Sequence, residues 1–226
     1  MQGKIVALLP MKGNSERVPN KNLKDFSGKP LYHRVLDTLL CSNYISTIII
    51  NTDSDRISED VKHNFDTNVI IHKRPSELQG DMVSMNKIIE YDILHHNAEI
   101  YLQTHSTNPL LTTKSIDNAI EKMLNKGDNE NFDSIFSVTK IQTRLYDQDG
   151  NAFNHNPNEL LRTQDLPPLY EENSNFFIFT KQSFFDNDKK RIGKNASMYE
   201  IDKIEAIDID EPQDFTIAET LYKLFR

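Results

Sequence analysis

Apolar residues recur along this chain in two alternating patterns. Residues 5–9, Ile5-Val6-Ala7-Leu8-Leu9, form an unbroken apolar run, the pattern of a strand buried on both faces. A polar stretch over 10–28 follows. Pro30 then opens a segment in which Leu31, Val35, Leu36, Leu39 and Leu40 share one helical face. Residues 46–51 predict a second buried strand, and Asn51-Thr52-Asp53-Ser54 supplies turn and N-cap chemistry for a helix to about residue 65. The same reading predicts a strand over 68–72, a helix over 81–95 carried by Val83, Ile88, Ile89 and Ile93, a strand over 99–103, a helix over 113–125 and a strand over 133–138. Strands alternating with helices predict an α/β fold with a mainly parallel sheet.

The rhythm breaks over residues 140–175, which are polar and interrupted by Pro157, Pro167 and Pro168. A stretch of that length without regular structure usually serves a function or reaches a partner. Beyond it, residues 175–180 and 205–209 read as strands, the second as the last of the sheet, and Pro212 opens a closing helix to 224. No repeat, low-complexity tract or linker divides the sequence. Residues 1–226 are therefore expected to be one domain with a projecting arm at about 140–175.

Composition narrows the classes. A hydrophobic fraction of 37% excludes a disordered chain, and no apolar run approaches a membrane span. The net charge of −8 argues against a nucleic-acid partner, though not against an anionic small molecule held by a local basic patch. Cys41 is the single cysteine, so no intrachain disulfide can form, and its place in an apolar helical run predicts a buried thiol. A soluble, cytoplasmic protein is expected.

Open parallel sheets bind ligands beyond the carboxyl ends of their strands, which directs attention to the loop after the first strand. Residues 12–34 carry Lys12, Arg17, Lys21, Lys24, Lys29 and Arg34 against Glu16 and Asp25, a local charge of +4. Concentrated positive charge at a strand end suits phosphate oxygens, while charge alone favours a solvated surface loop. The seven glycines are too scattered for either Gly-rich phosphate motif, which disfavours dinucleotide dehydrogenases and P-loop NTPases. On a strand, Asp208 and Asp210 would share one face and offer hard oxygen ligands to Mg²⁺. The same spacing equally fits a surface pair and a helix cap before Pro212. The histidines show no metal spacing, and there is no HExxH, no Cys-rich site and no GxSxG elbow. Glu171-Glu172 reads as a solvated acidic pair.

Together these segments carry a resemblance. Residues 8–23, LLPMKGNSERVPNKNL, followed by Gly28-Lys29-Pro30-Leu31, resemble the signature of the acylneuraminate (CMP-sialic acid) cytidylyltransferase family, with Pro19, Lys21, Asn22 and Leu23 at its matching positions. Thr52-Asp53, Arg74-Pro75 with Glu77-Leu78 and Asp81, Leu102-Gln103 before Asn108-Pro109-Leu110, and Ile207-Asp208-Ile209-Asp210 with Asp214 and Ala218-Glu219 follow in the same order. The resemblance implies a single Rossmann-like nucleotidyltransferase domain. It also implies a Mg²⁺-dependent reaction, in which a sugar acid's anomeric hydroxyl attacks the α-phosphorus of CTP to give a CMP-sugar and pyrophosphate.

By position, the resemblance implies that Lys21 neutralises triphosphate oxygens and that Lys12, Ser15 and Asn22 line the nucleotide loop. Arg74 and Ser84 would help hold cytidine, and Gln103 would contact the sugar acid. Asp208 and Asp210 would bind Mg²⁺, one of them assisting deprotonation of the hydroxyl. The implied assembly is a homodimer through the 140–175 arm, with Arg162, and less strongly Lys140, approaching the partner's sugar site. Two departures stand out. Lys12 replaces the family's usual Arg, losing its planar fork. The family's compact LQPTSPLR is here the longer run of residues 102–111, LQTHSTNPLL, which ends in Leu. The particular sugar acid is left open. A metal-dependent glycosyltransferase using Asp208-Ile209-Asp210 is an alternative, disfavoured because only 16 residues follow Asp210. A non-catalytic nucleotide-binding protein of the same fold is another, and Lys21 and the aspartate pair speak against it.

Overall fold

The first apolar run forms β1 (Ile5–Leu8), every residue of which is buried. In the computed structural model, which describes residues 5–127, 130–159 and 161–225, β1 pairs in parallel with β4 (Ile45–Thr52) on one side and β6 (Ile100–Thr104) on the other. Residues 1–4 and 226 of the expected domain lie outside the described residues. β5 (Val69–Lys73) continues the sheet beyond β4, and β8 (Leu169–Thr180), β7 (Ser134–Ile141) and β9 (Ala196–Glu200) continue it beyond β6. The strand order is β5-β4-β1-β6-β8-β7-β9. Only β8 runs antiparallel to its neighbours among the described residues. A short hairpin of β2 (Asp25–Phe26) and β3 (Lys29–Pro30) stands apart.

Continuous apolarity along β1 has a direct cause in this layering. Ile5 and Ala7 pack under α1 (Leu31–Leu40), α2 (Asp55–Asn64) and α4 (Thr113–Leu124). Val6 and Leu8 point to the opposite face, under α3 (Met85–His95) and α5 (Lys181–Asp186). α6 (Pro212–Phe225) sits elsewhere. Phe215 and Ala218 close a third cluster with Val18, Phe26, Leu31 and Ile209, and so tie the C-terminal helix to the loop after β1. Among the described residues no helix is long and apolar enough to cross a membrane.

Several expectations need correction. Residues 205–209 are not a strand. Ala206 N donates to Asp202 O at 3.0 Å and Ile207 N to Ile204 O at 3.3 Å, so the chain turns there, and β9 takes the sheet edge instead. Asp208 and Asp210 therefore do not alternate along a strand. α3 begins at Met85 rather than at residue 81, because Ser84 accepts a hydrogen bond from Asn86 N and caps it. β7 and β8 reach further than expected, with Ile141 opposite Leu169, which shortens the arm to residues 142–168. The arm carries its own small pairing, Tyr146 against Ala152. Cys41 ends α1 and is exposed, not buried, since the residue at the C-cap has already left the apolar stripe. Native protein without denaturant is accordingly expected to react fully with an aromatic disulfide reagent, giving one thiol per chain by absorbance. Reaction only after unfolding would contradict the exposed position.

Candidate active site

The loop after β1 is shaped from its own backbone outward. Met11 N donates to Asn51 O at 3.0 Å, extending the strand's pairing past Pro10. Gly13 N donates to Asp53 Oδ1 at 2.7 Å. A Cβ on Gly13 would come within 2.8 Å of Ser54 Cβ, so the loop can press against the start of α2 only because that residue is glycine. Asn20 then adopts a left-handed conformation with φ 52°, and a single 3₁₀ turn, Lys21–Leu23, follows. Asn22 is buried inside it. Its Nδ2 donates to Lys12 O at 2.8 Å, and its Oδ1 accepts from Ser106 Oγ at 2.7 Å, joining this loop to the segment after β6.

Between these segments lies a cleft of about 300 Å³ at the carboxyl ends of β1 and β6, lined in part by Lys12, Ser15, Arg17, Lys21, Arg74 and His105. Lys12 is paired with Asp81 across its mouth. Lys21 is half-buried, and burial draws its ammonium below the usual lysine range, while Asp208 and Asp210 pull in the opposite direction. Its Nζ donates to Ile209 O.

That bond brings the late aspartates to the loop. Ile209 N donates to Thr107 O at 2.9 Å, so the Ile209 peptide groups are held from both sides of the cleft. Asp208 Oδ2 accepts from Ser174 Oγ at 2.8 Å, and Asp208 Oδ1 is buried with no hydrogen-bond partner among the described residues. Asp210 accepts from Arg17 at 2.6 Å, and Arg17 also reaches Glu211 at 3.3 Å. Asp210 raises the Arg17 pKa further, the largest of several such influences.

The other sequence-derived residues are placed unevenly. Arg74 lines the cleft but is 3% exposed and spends its donors on protein. Its Nε donates to Asn51 Oδ1 at 2.8 Å and its Nη2 to Asn51 O at 2.9 Å and Met11 O at 3.3 Å. It therefore props the loop from beneath. Ser84 uses its hydroxyl to cap α3. Gln103 is fully buried at the end of β6, with Nε2 donating to Thr104 O at 2.7 Å and Oε1 accepting from Arg191. Lys140 lies on β7 opposite Tyr170, and Arg162 is held within the arm by Asp165 at 2.7 Å; the structure brings neither into the cleft of this chain.

Three residues in or beside the site had no role in the sequence reading. Arg17 counted there only as loop charge. Arg191 follows Lys189-Lys190 and reads as solvated charge, with no signal in sequence of its reach to Gln103. His105 falls in the segment that departs from the family pattern, and that departure was its signal. Burial, with added pressure from Arg191 and Lys21, pushes its imidazole pKa down to about 4.

A basic loop and a late acidic pair meet at the carboxyl edge of a mostly parallel sheet of Rossmann-like architecture, the edge at which open α/β folds bind ligands. The sequence model described as "Cytidylyltransferase" matches residues 6–224, and the chain belongs to that family. It is 28% identical over 223 residues to N-acylneuraminate cytidylyltransferase A of Danio rerio, covering 95% of this chain and 50% of that protein. It is 25% identical over 229 residues to pseudaminic acid cytidylyltransferase of Campylobacter jejuni, covering 98% and 97%. The chain thus spans about half the length of the vertebrate relative and nearly all of the bacterial one. Among solved structures, a CMP:2-keto-3-deoxy-manno-octonic acid synthetase complexed with CTP superposes with a TM-score of 0.72 at 15% identity, covering 98% of this chain and 99% of that one. That likeness speaks to the fold.

Arg74 owes its position to a deeper network. Asp92 is fully buried, and its Oδ1 accepts from Asn51 Nδ2 at 2.7 Å and lies 2.7 Å from His72 Nδ1. Replacing Asp92 with Ala strands both partners in the interior. The expected loss is about 3 kcal/mol in urea unfolding. A loss under about 1 kcal/mol would show that the network is not a structural support.

Proposed function

We propose that the protein transfers a cytidylyl group from CTP to the anomeric hydroxyl of a sugar acid of the nonulosonic class, releasing pyrophosphate. The observation that carries this reading is the meeting of Lys21 with the Asp208–Asp210 segment through Ile209 O. Family membership and relatives named for N-acylneuraminate and pseudaminic acid cytidylyl transfer support it.

Both reactants are anions, so the chain's first task is to lower their repulsion. Lys21, already desolvated, is the group we assign to the triphosphate oxygens, with Lys12, Ser15 and Asn22 forming the walls of the nucleotide loop. Arg74 fixes the loop's shape rather than offering its full fork to cytidine. Gln103 and Arg191 mark the acid end. No covalent nucleophile is required, and positioning in line supplies much of the rate.

The donor set fits Mg²⁺. Among the described residues no cluster of three or more His, Cys, Asp or Glu is arranged to hold a metal, but Mg²⁺ needs only one or two carboxylates when phosphate oxygens complete its shell. Asp208 Oδ1 is buried and unpartnered, as are Asp92 Oδ2 and Asn175 Oδ1, but of these it alone belongs to the acidic segment that Lys21 meets, and Asp210 is the second donor once Arg17 yields it. Bound there, the ion would neutralise charge developing on the phosphate.

We assign the arm to contact with a second copy of the chain, on the strength of its exposed Tyr146, Phe153 and Leu161. Phe153→Glu is expected to move mass from dimer to monomer in sedimentation. A wild-type chain that sediments as monomer at every concentration removes the dimer from this reading.

The reaction itself is tested by pyrophosphate release with CTP, Mg²⁺ and a panel of sialic, legionaminic, pseudaminic and octulosonic acids. Turnover with at least one nonulosonic acid is expected. Asp208→Asn should lower kcat by roughly 10²-fold or more while the protein still unfolds as wild type does. Silence on every acid would refute the assignment.

A further inference from the structure

β6 ends at Thr104, and the next residue hangs an imidazole over the cleft. Alternation sends Leu102 toward α1 and α4, and Tyr101, Gln103 and then His105 to the other face, where α3 begins. His105 is the only histidine among the residues that line the cleft. No hydrogen bond holds its ring among the described residues, and the residue is partly buried, so its nitrogens remain free for a ligand that enters the cleft.

Two cations act on it, one from each half of the site. Lys21 belongs to the nucleotide loop. Arg191 comes from the loop before β9, lies 3.9 Å from the centre of the Phe177 ring and donates to Gln103. Burial lowers the Arg191 pKa, and Glu172 is the one carboxylate that acts against this, from beyond ion-pair distance. Arg191 is thus a largely desolvated guanidinium without a carboxylate partner among the described residues, bonded to Gln103 and close enough to act on His105. The other charges around the cleft are Lys12 paired with Asp81, Arg17 paired with Asp210 and Glu211, together with Glu16 and Arg74, while Asp208 faces the neighbouring cavity beside Ser174. None of these is among the groups that act on the imidazole.

We propose that His105 is the general base of the transfer, assembled by the substrates themselves as the triphosphate neutralises Lys21 and the acid's carboxylate neutralises Arg191. This rests on the reading of the preceding subsection. The anomeric O–H bond breaks, and its proton passes to a free imidazole nitrogen. The oxygen forms a bond to the α-phosphorus, and the bond from that phosphorus to pyrophosphate breaks, its electron pair leaving on pyrophosphate. The imidazolium then returns its proton to solvent.

Electrostatics give the direction. In the free protein burial and the two cations hold the imidazole near 4, so it is neutral at pH 7 and able to accept. A base that weak takes a proton poorly. Binding two anions removes the two opposing charges and raises its basicity when the hydroxyl is present. The aspartates are worse placed for the task, since Asp210 is engaged by Arg17 and Asp208 is the carboxylate assigned to the metal.

The test has two arms on the full chain. In the first, protein with ¹⁵N-labelled histidine is titrated by NMR, free and then saturated with CTP, Mg²⁺ and a non-hydrolysing or slow acid. The His105 signal should titrate near pH 4 when free and at clearly higher pH when both anions are bound. A titration unmoved by the ligands overturns the proposal. In the second, His105→Gln should lower kcat by about 10²–10⁴-fold with little change in the KM for CTP, and should lose the acid limb of the wild-type kcat profile. Added imidazole should partly restore His105→Ala. A His105→Gln enzyme within about threefold of wild type overturns the base alone. A wild type silent on all acids overturns the reaction and the base with it. Should a variant fail to bind CTP by calorimetry, the NMR arm decides, because it reads the native chain.

Discussion

The site depends on how Ile209 is held. Its side chain is fully buried against Val18, Phe26, Leu31, Phe215 and Ala218, its N–H donates to Thr107 O, and its carbonyl accepts from Lys21. Three segments far apart in sequence are joined at one residue. The apolar anchor fixes the chain's height above the sheet, and the two backbone bonds fix its direction. Asp208 and Asp210 flank that residue and have no freedom to sit elsewhere. Asp214 adds to this by accepting from the backbone of Asp210 at 3.1 Å and Glu211 at 2.7 Å, so α6 starts where the acidic segment ends. For the polyanionic ligand proposed, rigid placement of both signs of charge would be the main catalytic resource.

The charges around the site fall into a paired group and an unpaired one in the free protein. Around the loop after β1, Arg17 satisfies Asp210 and Lys12 satisfies Asp81. These are exposed pairs, worth little to stability and cheaply exchanged for phosphate or metal contacts. Two other groups differ. Arg191 has burial without a carboxylate, and Asp208 has a buried oxygen without a donor. Groups left in that condition cost stability. These unmet needs of opposite sign are what the proposed metal and acid would answer, and binding them would offset the cost carried by the free protein.

Much of the fold was legible because the sheet's strands bury both faces and so appear as unbroken apolar runs, as at residues 5–9 and 46–51. The helices between them show the 3.6 period because each packs on one face only. What was not legible has physical causes. Residues 205–209 alternate Ile and Asp as a strand would, yet Ile209 is buried by α6 and the loop after β1, not by a sheet neighbour. β9 was missed because none of its five residues is fully buried, as befits an edge. Cys41 shows that an apolar stripe does not predict burial in its last residue. Within the site, Lys21 and the aspartates could be found by pattern. Arg191 could not, since its importance comes from Gln103 and Phe177, far from it in sequence, and a cation after two lysines looks like any solvated patch.

The longer segment after β6 carries more than a loop insertion usually does. It brings His105 over the cleft, and Ser106 Oγ reaches Asn22 in the nucleotide loop. Thr107 O takes the Ile209 N–H, and Asn108 touches both Ile207 O at 3.4 Å and Ser174 Oγ at 3.0 Å, the hydroxyl that also supports Asp208. Three consecutive residues, 106–108, thus contact the loop after β1, the acidic segment and the hydroxyl that props a carboxylate. A departure from the family pattern that merely loosened the site would leave such partners unpaired. Here each side chain but one finds a partner among the described residues or lends its backbone to one, and the exception is the imidazole. Its isolation, amid contacts so fully used, is the strongest structural argument that it is reserved for something the free protein does not contain.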